Sequence, residues 1–329
     1  DKQLSASQPS FVVSQRRFYS AAKVPASDQL WQVPMLVRYE DDKGVHTARY
    51  LLTERSASFP ITVSGELRWL YANADEIGFY RQRFDEALLA KLRANLDRLS
   101  VAERKGLLRD QWALVSNGAQ PITAYLDTLA ALSGDDNDIV ANQIVNEHLA
   151  RTQDLLERAG DEQALTKFRA WVKKLFKDKM AALGYEPQAG ESIEVSRLRA
   201  ARLSAMANYA HDSEALTQVR KWQKVEAGNP AGIDPNLAPV VVTATARAGG
   251  PATYTRYLSI YRMRTNGDFT PDQTQRYGIA FAFFAPAELT ERTLALMNAG
   301  EDTFNFQAQI KIMGVMLGPK HTQKSVWEC

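Results

Sequence analysis

The sequence predicts a mainly α protein, in which a small β-sandwich precedes an irregular, HEAT-like α-solenoid of helix hairpins. In the first 68 residues, short segments rich in β-branched and aromatic residues alternate with polar turns. The apolar period then lengthens from two residues to 3.6, and helix start and stop signals recur at short intervals. No repeat of fixed length can be superposed on itself, so the predicted solenoid is irregular. We therefore expect a β-sandwich domain at residues 1–68 and a helical domain at residues 69–329, truncated at its end.

Three predicted strands lie at residues 11–13, 31–39 and 47–52. In the second strand, alternate side chains share one face of the sheet: Trp31, Val33, Met35, Val37 and Tyr39. Residues 41–44 form a polar turn, in which Gly44 supplies the positive φ that a tight hairpin needs. This pattern is typical of a hairpin that buries one face.

Capping patterns mark the predicted helices. Ser100 and Glu103 have the spacing of a capping box, which begins a helix that ends near Gly118. Two long amphipathic helices end at Gly160 and Gly184. Two later helices place an N-cap residue before a proline at the first helical position: Asp234-Pro235 and Thr270-Pro271. Together these signals predict about a dozen helices joined by short turns.

Composition excludes several classes of protein. Forty basic and 38 acidic residues give a net charge of +2, which is too small for a protein that binds the phosphate backbone of nucleic acids. The longest apolar stretch, residues 279–285, is far shorter than the ~20 residues of a membrane-spanning helix. One cysteine, at position 329, permits no internal disulfide and leaves the compartment open. We expect a soluble protein, either cytoplasmic or periplasmic.

Residues suited to catalysis are few. Four histidines occur, and none has a second histidine at the spacing of a zinc-binding helix: His46, His148, His211 and His321. No Gly-x-Ser-x-Gly elbow occurs, and Cys329 at the end of the chain is an unsuitable nucleophile. Gly249-Gly250-Pro251 lacks the glycine spacing and the lysine of a phosphate-binding loop, so we predict a turn there. We assign no catalytic, cofactor-binding or metal-binding residue.

One stretch is more specific than general helix patterning. Residues 69–118 carry a series of short motifs: Asn73, Gly78-Phe79-Tyr80-Arg81, Phe84-Asp85, Leu99-Ser100, Glu103-Arg104, Leu107-Leu108 and Ala113-Leu114. The series resembles the entry into the C-terminal helical domain of the gluzincin zinc aminopeptidases, which include the puromycin-sensitive, alanyl and endoplasmic-reticulum enzymes. Residues 13–18 and 31–35 are similar to the small β-sandwich that precedes this domain. The departures are mild, since Phe79 stands for a tyrosine and Glu103 for an aspartate.

The resemblance implies that this chain is a non-catalytic part of such an enzyme, trimmed at both ends. In that family the His-Glu-x-x-His zinc motif lies before the β-sandwich, and this sequence contains no such motif. The resemblance therefore implies no cofactor in this chain, and zinc in the catalytic domain of a parent enzyme that hydrolyses peptide bonds. The helical domain is expected to form a bowl that closes over the active site and helps to admit and select peptides. Its own catalytic domain and peptide substrates are the implied partners.

Two alternatives stay open. The chain could instead be an independent α-solenoid scaffold that binds another protein. An enzyme with a dispersed site of its own is disfavoured by the scarcity of histidine and cysteine. Tyr80 and Arg81 lie near the predicted junction of the two domains, where a packing or ion-pair role is favoured over a role in the cavity. Peptide preference and oligomeric state do not follow from the sequence.

Overall fold

A computed structural model of the chain describes residues 9–20, 27–133, 139–267, 269–299, 303–318 and 320–328. Within these ranges, five strands precede thirteen α-helices. This order confirms the predicted fold class, a mainly α protein that begins with a small β part. The chain divides into two compact units, Asp1–Ala141 and Asn142–Cys329. No helix in the described ranges has both the length and the apolar character to cross a membrane.

Two antiparallel sheets form the β part of the first unit. Strand β1 (Ser10–Ser14) pairs with β4 (Ser56–Pro60). Strand β2 (Val33–Asp41) lies between β3 (Gly44–Leu52) and β5 (Trp69–Tyr71) in the second sheet. The hairpin predicted at residues 41–44 is therefore confirmed, with Asp41 opposite Gly44.

The two sheets enclose a small apolar core. Its fully buried members come mainly from β2, β3 and β5: Met35, Val37, Tyr39, Leu52, Ile61 and Leu70. Phe11 of β1 lies 5.1 Å from the ring of Tyr50 on β3, so aromatic side chains join the two sheets. The alternation predicted along β2 is confirmed for Met35, Val37 and Tyr39. Trp31 departs from the prediction, because it precedes the strand and is exposed.

Three helices follow the strands in the first unit: α1 (Glu86–Ala94), α2 (Val101–Ser116) and α3 (Ile122–Leu132). The predicted capping box of α2 is confirmed. The Ser100 hydroxyl accepts a hydrogen bond from the Glu103 amide, and the Glu103 carboxylate accepts one from the Ser100 amide at 2.8 Å. Both α1 and α2 contact α3.

Helix α4 (Ile139–Ala159) leads into the second unit. The remaining helices are α5 (Glu162–Leu183), α6 (Ile193–Ser204), α7 (Ser213–Gly228), α8 (Leu237–Arg247), α9 (Pro251–Thr265), α10 (Pro271–Ala280), α11 (Ala287–Asn298), α12 (Phe306–Met316) and α13 (Lys320–Trp327). Successive helices pair, as α7 with α8 and α9 with α10, and helices two apart also contact, as α6 with α8, α8 with α10 and α10 with α12. Such contacts are typical of stacked helix hairpins.

Most predicted helix boundaries in the second unit are confirmed. Helices α4 and α5 end immediately before Gly160 and Gly184, both with positive φ. Thr270 forms a full capping box with Gln273. Gly249 and Gly250 form the turn into α9, as expected. The prediction at Asp234-Pro235 is wrong in register, because α8 begins at Leu237. The Asp234 carboxylate still accepts the Leu237 amide, at 3.3 Å.

Candidate functional site

The stretch that carries the family motifs forms one connected site in the first unit. Residues 73–82, which we name the clamped loop, lead from β5 towards α1. Two of its residues, Asp75 and Glu76, have φ values of 52° and 59°, in the left-handed region that disfavours side chains other than glycine. Such residues cost of order 1 kcal/mol each and persist only where their surroundings hold them.

Asn73 and Tyr80 hold the two ends of the clamped loop together. The buried Asn73 amide accepts a hydrogen bond from the Gly78 N–H at 2.7 Å and donates one to the Gly78 carbonyl at 3.0 Å. The Tyr80 hydroxyl donates to the Ala72 carbonyl at 2.6 Å, and the Gln82 side chain accepts from the Ala72 N–H at 3.0 Å. Three residues of the quoted motifs therefore close the loop on itself.

The N-terminal turn of α2 fixes the strained part of the loop. Glu103 is fully buried, accepts the Asp75 amide at 3.2 Å and pairs with Arg38 of β2 at 2.7 Å. Glu76 accepts hydrogen bonds from Tyr71 and Arg109. Gly106 makes this approach possible, since a Cβ there would lie 2.0 Å from the carboxyl carbon of Glu76. The capping box of α2 thus also holds a neighbouring loop.

A second buried carboxylate, Asp110, secures the end of the clamped loop. It accepts the Gln82 amide at 2.8 Å and pairs with Arg81 at 3.3 Å. Burial, reinforced by the charge of Glu76, raises the pKa of Asp110 to about 6, although the Gln82 N–H and two arginines act against the shift. Arg81 also lies 4.8 Å from the Phe18 ring. Tyr80 and Arg81 therefore make the packing and ion-pair contacts that the sequence analysis favours.

Glu40 ties β2 to the turn before α2. Its carboxylate accepts a hydrogen bond from the Trp69 indole at 2.7 Å and two from Arg98, at 3.1 and 3.2 Å. The hydrogen bond from Arg98 lowers the pKa of Glu40. In the first unit, these carboxylates and arginines are thus mutually paired, an arrangement that positions a loop.

A separate group of ionisable side chains, which we name the polar cluster, lies in the second unit. It comprises Asp154 of α4, Arg169 of α5, Tyr209, His211 and Arg247 of α8, which are near enough for their charges to shift one another's pKa. Tyr209 ends a π-helical turn, Ala205–Tyr209, and His211 has a φ of 50°. Both features cluster at functional sites in proteins.

The members of the polar cluster affect one another's charge. Burial is the main cause that raises the pKa of Asp154 and lowers that of His211, and the positive charges of Arg169 and Arg247 lower the pKa of His211 further. Among the described residues, the buried Nε atoms of Arg169 and Arg247 have no hydrogen-bond partner. The cluster therefore combines both signs of charge with two buried guanidinium N–H groups that have no partner among the described residues.

The histidine side chains in the described part of the chain lie apart from one another. His46 bonds Asp41 at 2.8 Å, and burial lowers the pKa of His148 on α4 to about 4. The His321 side chain and Cys329 lie outside the described part of the chain. Over the described ranges, no three histidine, cysteine, aspartate or glutamate side chains are grouped to hold a metal ion. These residues do not fit the donor set of a zinc centre.

One further network escapes the sequence analysis. Glu226 of α7 is fully buried and pairs with Arg264 of α9 at 2.8 Å and with Arg276 of α10 at 3.5 Å. Tyr277 also donates to Glu226, and Gln223 donates to the Tyr277 hydroxyl at 2.8 Å. The residues come from three helices and have no motif spacing, so the sequence contains no signal that would join them.

With this geometry established, comparison with known proteins identifies the family. Residues 69–329 match the ERAP1-like C-terminal domain, and the chain belongs to this family. Its curated relatives are aminopeptidases.

Three of these aminopeptidases, from different organisms, show how similar the chain is to its relatives and how much of each it covers. The chain is 25% identical to an alanine/arginine aminopeptidase of Saccharomyces cerevisiae over 95% of this chain and 35% of that protein. It is 27% identical to a puromycin-sensitive aminopeptidase of Caenorhabditis elegans over 77% of this chain and 27% of that protein. It is 25% identical to aminopeptidase M1 of Arabidopsis thaliana over 81% of this chain and 31% of that protein. The chain thus spans about a third of the length of these relatives.

Proposed function

We propose that this chain is the non-catalytic C-terminal part of a zinc-dependent aminopeptidase. The observation that carries the proposal is the family membership of residues 69–329, together with relatives that are named aminopeptidases. In this proposal the zinc ligands and the catalytic groups belong to a catalytic domain of the same polypeptide. The boundary between the two domains of this chain, after residue 68, is part of the proposal and is supported by the start of the family match. Truncation at the end of the chain stays a prediction.

We further propose that the helical domain closes over the active site and helps to admit and select peptides. The polar cluster supports this role, because a peptide carries charges of both signs and backbone groups that need hydrogen-bond partners. Arg169 and Arg247 supply positive charge, and Asp154 supplies a carboxylate. Such a surface sorts peptides without supplying a bond-breaking group.

Hydrolysis assays test the first part of the proposal. The polypeptide encoded by the whole reading frame is expected to hydrolyse aminoacyl-arylamides in a chelator-sensitive reaction. Residues 1–329 alone, with added zinc, are expected to be inactive. Robust chelator-sensitive turnover by residues 1–329 would contradict the proposal.

Substrate length tests the second part. In the whole polypeptide, Arg247→Ala and Arg169→Ala are expected to raise the KM for long peptides while leaving the KM for an aminoacyl-arylamide unchanged, since the short substrate does not reach the polar cluster. Arg220→Ala, on the exposed surface of α7, is the matched control. Equal effects on short and long substrates would show that the polar cluster does not select peptides.

An independent interaction scaffold remains the second candidate. The exposed apolar side chains of α12, Phe306 at 75% and Ile310 at 55%, favour it, since such residues mark contact surfaces. The reading frame upstream of Asp1 discriminates the two. A His-Glu-x-x-His helix there supports the peptidase, and a start codon with no such helix supports the scaffold.

A further inference from the structure

The clamped loop displays two apolar side chains to solvent. Phe79 is fully exposed, and Ile77 is 69% exposed. Single exposed apolar residues are ordinary on protein surfaces, but two large ones at alternate positions of one short loop form a protruding apolar knob. We name Ile77 and Phe79 the loop knob.

The loop knob is held in place. The loop reverses through the left-handed residues Asp75 and Glu76, and the Asn73 side chain bridges both backbone groups of Gly78, between the two knob residues. Gly106 lets Glu76 pack onto α2. A loop with this many fixed contacts presents its side chains in one geometry, which lowers the entropy lost when a partner binds.

Arginines near the loop face outward, whereas their carboxylate partners face inward. The Arg109 and Arg81 side chains are 52% and 36% exposed, but Glu76 and Asp110 are 10% and 1% exposed. A partner that approaches this face therefore meets guanidinium donors near an apolar knob. A complementary surface has an apolar pocket bordered by carboxylates.

We propose that the loop knob docks into such a pocket on the catalytic domain of the same polypeptide. The inference rests on the proposed function. The catalytic domain is the proposed partner of the loop knob because the relatives are much longer than this chain. Relatives aligned with up to 95% of this chain have about two thirds of their own length outside the alignment. The alternative partners of the loop knob are a second copy of the chain and an unrelated protein.

Photo-crosslinking identifies directly the partner that contacts the loop knob. In the polypeptide of the whole reading frame, p-benzoylphenylalanine replaces Phe79 and, as a control, the exposed Met263 of α9. Crosslinks from position 79 to peptides that precede Asp1 in the same molecule are expected, and position 263 is expected to give none of them. Crosslinks only to a second copy or to another protein, or no crosslink at all, would overturn the inference.

Hydrogen exchange gives a second measurement that does not require a foreign residue. Amides of residues 73–82 that lack internal partners are expected to exchange at least ten-fold more slowly in the whole polypeptide than in residues 1–329. The double variant Ile77→Ser, Phe79→Ser is expected to remove this protection, and Val225→Ser, on the exposed surface of α7, is expected to retain it. Equal exchange in the two polypeptides would contradict docking.

Failure of the proposed function and failure of the docking inference give different results. If the whole polypeptide lacks aminopeptidase activity, the proposed function fails, whatever position 79 contacts. If the whole polypeptide is active but position 79 is unprotected and does not crosslink within the molecule, only the docking inference fails.

Discussion

Two networks of arginines and carboxylates, one in each unit, use the same residue types in opposite ways. Around the clamped loop, Asp110 and Glu76 are buried while Arg81 and Arg109 reach solvent. Around Glu226, both the carboxylate and Arg264 are completely buried. The first network fixes a loop at the surface, and the second joins three helices in the interior.

The difference lies in how charge is compensated. Glu226 faces two arginines, so its negative charge is fully compensated. Asp110 shares one of its two arginines, Arg109, with Glu76, and burial raises the pKa of Asp110 to about 6. The interior network is therefore expected to dominate stability, whereas the surface network is expected to respond to pH.

Removing the charge of Glu226 is the largest expected perturbation. Glu226→Gln leaves Arg264 and Arg276 without their counter-charge in a dry environment, which we expect to lower the free energy of unfolding by about 3–5 kcal/mol. Urea denaturation measures the change. The matched control is Glu186→Gln, which breaks an exposed pair with Lys221 and is expected to cost less than about 1 kcal/mol. A loss at Glu226 no larger than that of the control would remove the distinction between the networks.

The pH dependence of Asp110 is the next test. Because its pKa is raised in the folded state from an ordinary value of 3.8 to about 6, its contribution to stability is complete below about pH 4 and is lost as the pH rises through 6. The difference between pH 4 and pH 7 is expected to be about 2 kcal/mol. Asp110→Asn should remove this component from the pH profile of urea denaturation. The exposed Asp178→Asn is the control, and an unchanged profile in Asp110→Asn would contradict the assignment.

Gly106 tests the packing under the clamped loop. An added methyl group would meet the Glu76 carboxyl carbon at 2.0 Å, so Gly106→Ala must displace Glu76 from Tyr71 and Arg109, at an expected cost of about 1–3 kcal/mol. Gly314→Ala, in α12, has no atom within 4 Å and is expected to stabilise by about 0.5–1 kcal/mol. Thermal denaturation compares the two. Stabilisation by both substitutions would show that the loop is not clamped.

The two capping boxes provide the smallest contrast. Thr270→Ala removes an ordinary cap of α10 and is expected to cost about 1 kcal/mol. Ser100→Ala is expected to cost more, because Glu103 of the same box also holds Arg38 and the Asp75 amide. Urea denaturation measures the loss in the free energy of unfolding of both variants. Equal losses would mean that the capping box of α2 acts as a helix cap alone.

Local signals in the sequence predict much of this fold. The capping boxes at Ser100 and Thr270 and the glycine at position 184 act within a few residues, so their geometry follows from short-range chemistry. The prediction at Asp234-Pro235 is wrong because α8 begins only at Leu237. The Asp234 carboxylate accepts the Leu237 amide from a position outside the helix.

The sites depend on contacts between distant residues and are harder to predict. Glu226 meets Arg264 across 38 positions, and Asp110 meets Gln82 across 28. Motif resemblance leads to the clamped loop, but the exposure of Phe79 becomes visible only when the loop is folded. The polar cluster has no signal in the sequence beyond a histidine at position 211.

The π-helical turn at Ala205–Tyr209 has an evolutionary consequence. A π-turn contains one more residue than an α-turn, so deleting one residue from Ala205–Tyr209 would let the helix continue as α. Because a π-turn accommodates its extra residue within a single turn, such a deletion would leave the direction of the following chain nearly unchanged and would alter mainly the side chains of the turn itself. Tyr209, the last residue of the turn, is the member of the polar cluster that would move most. A single-codon deletion at this turn is therefore expected to change this surface while the stacked helices keep their partners.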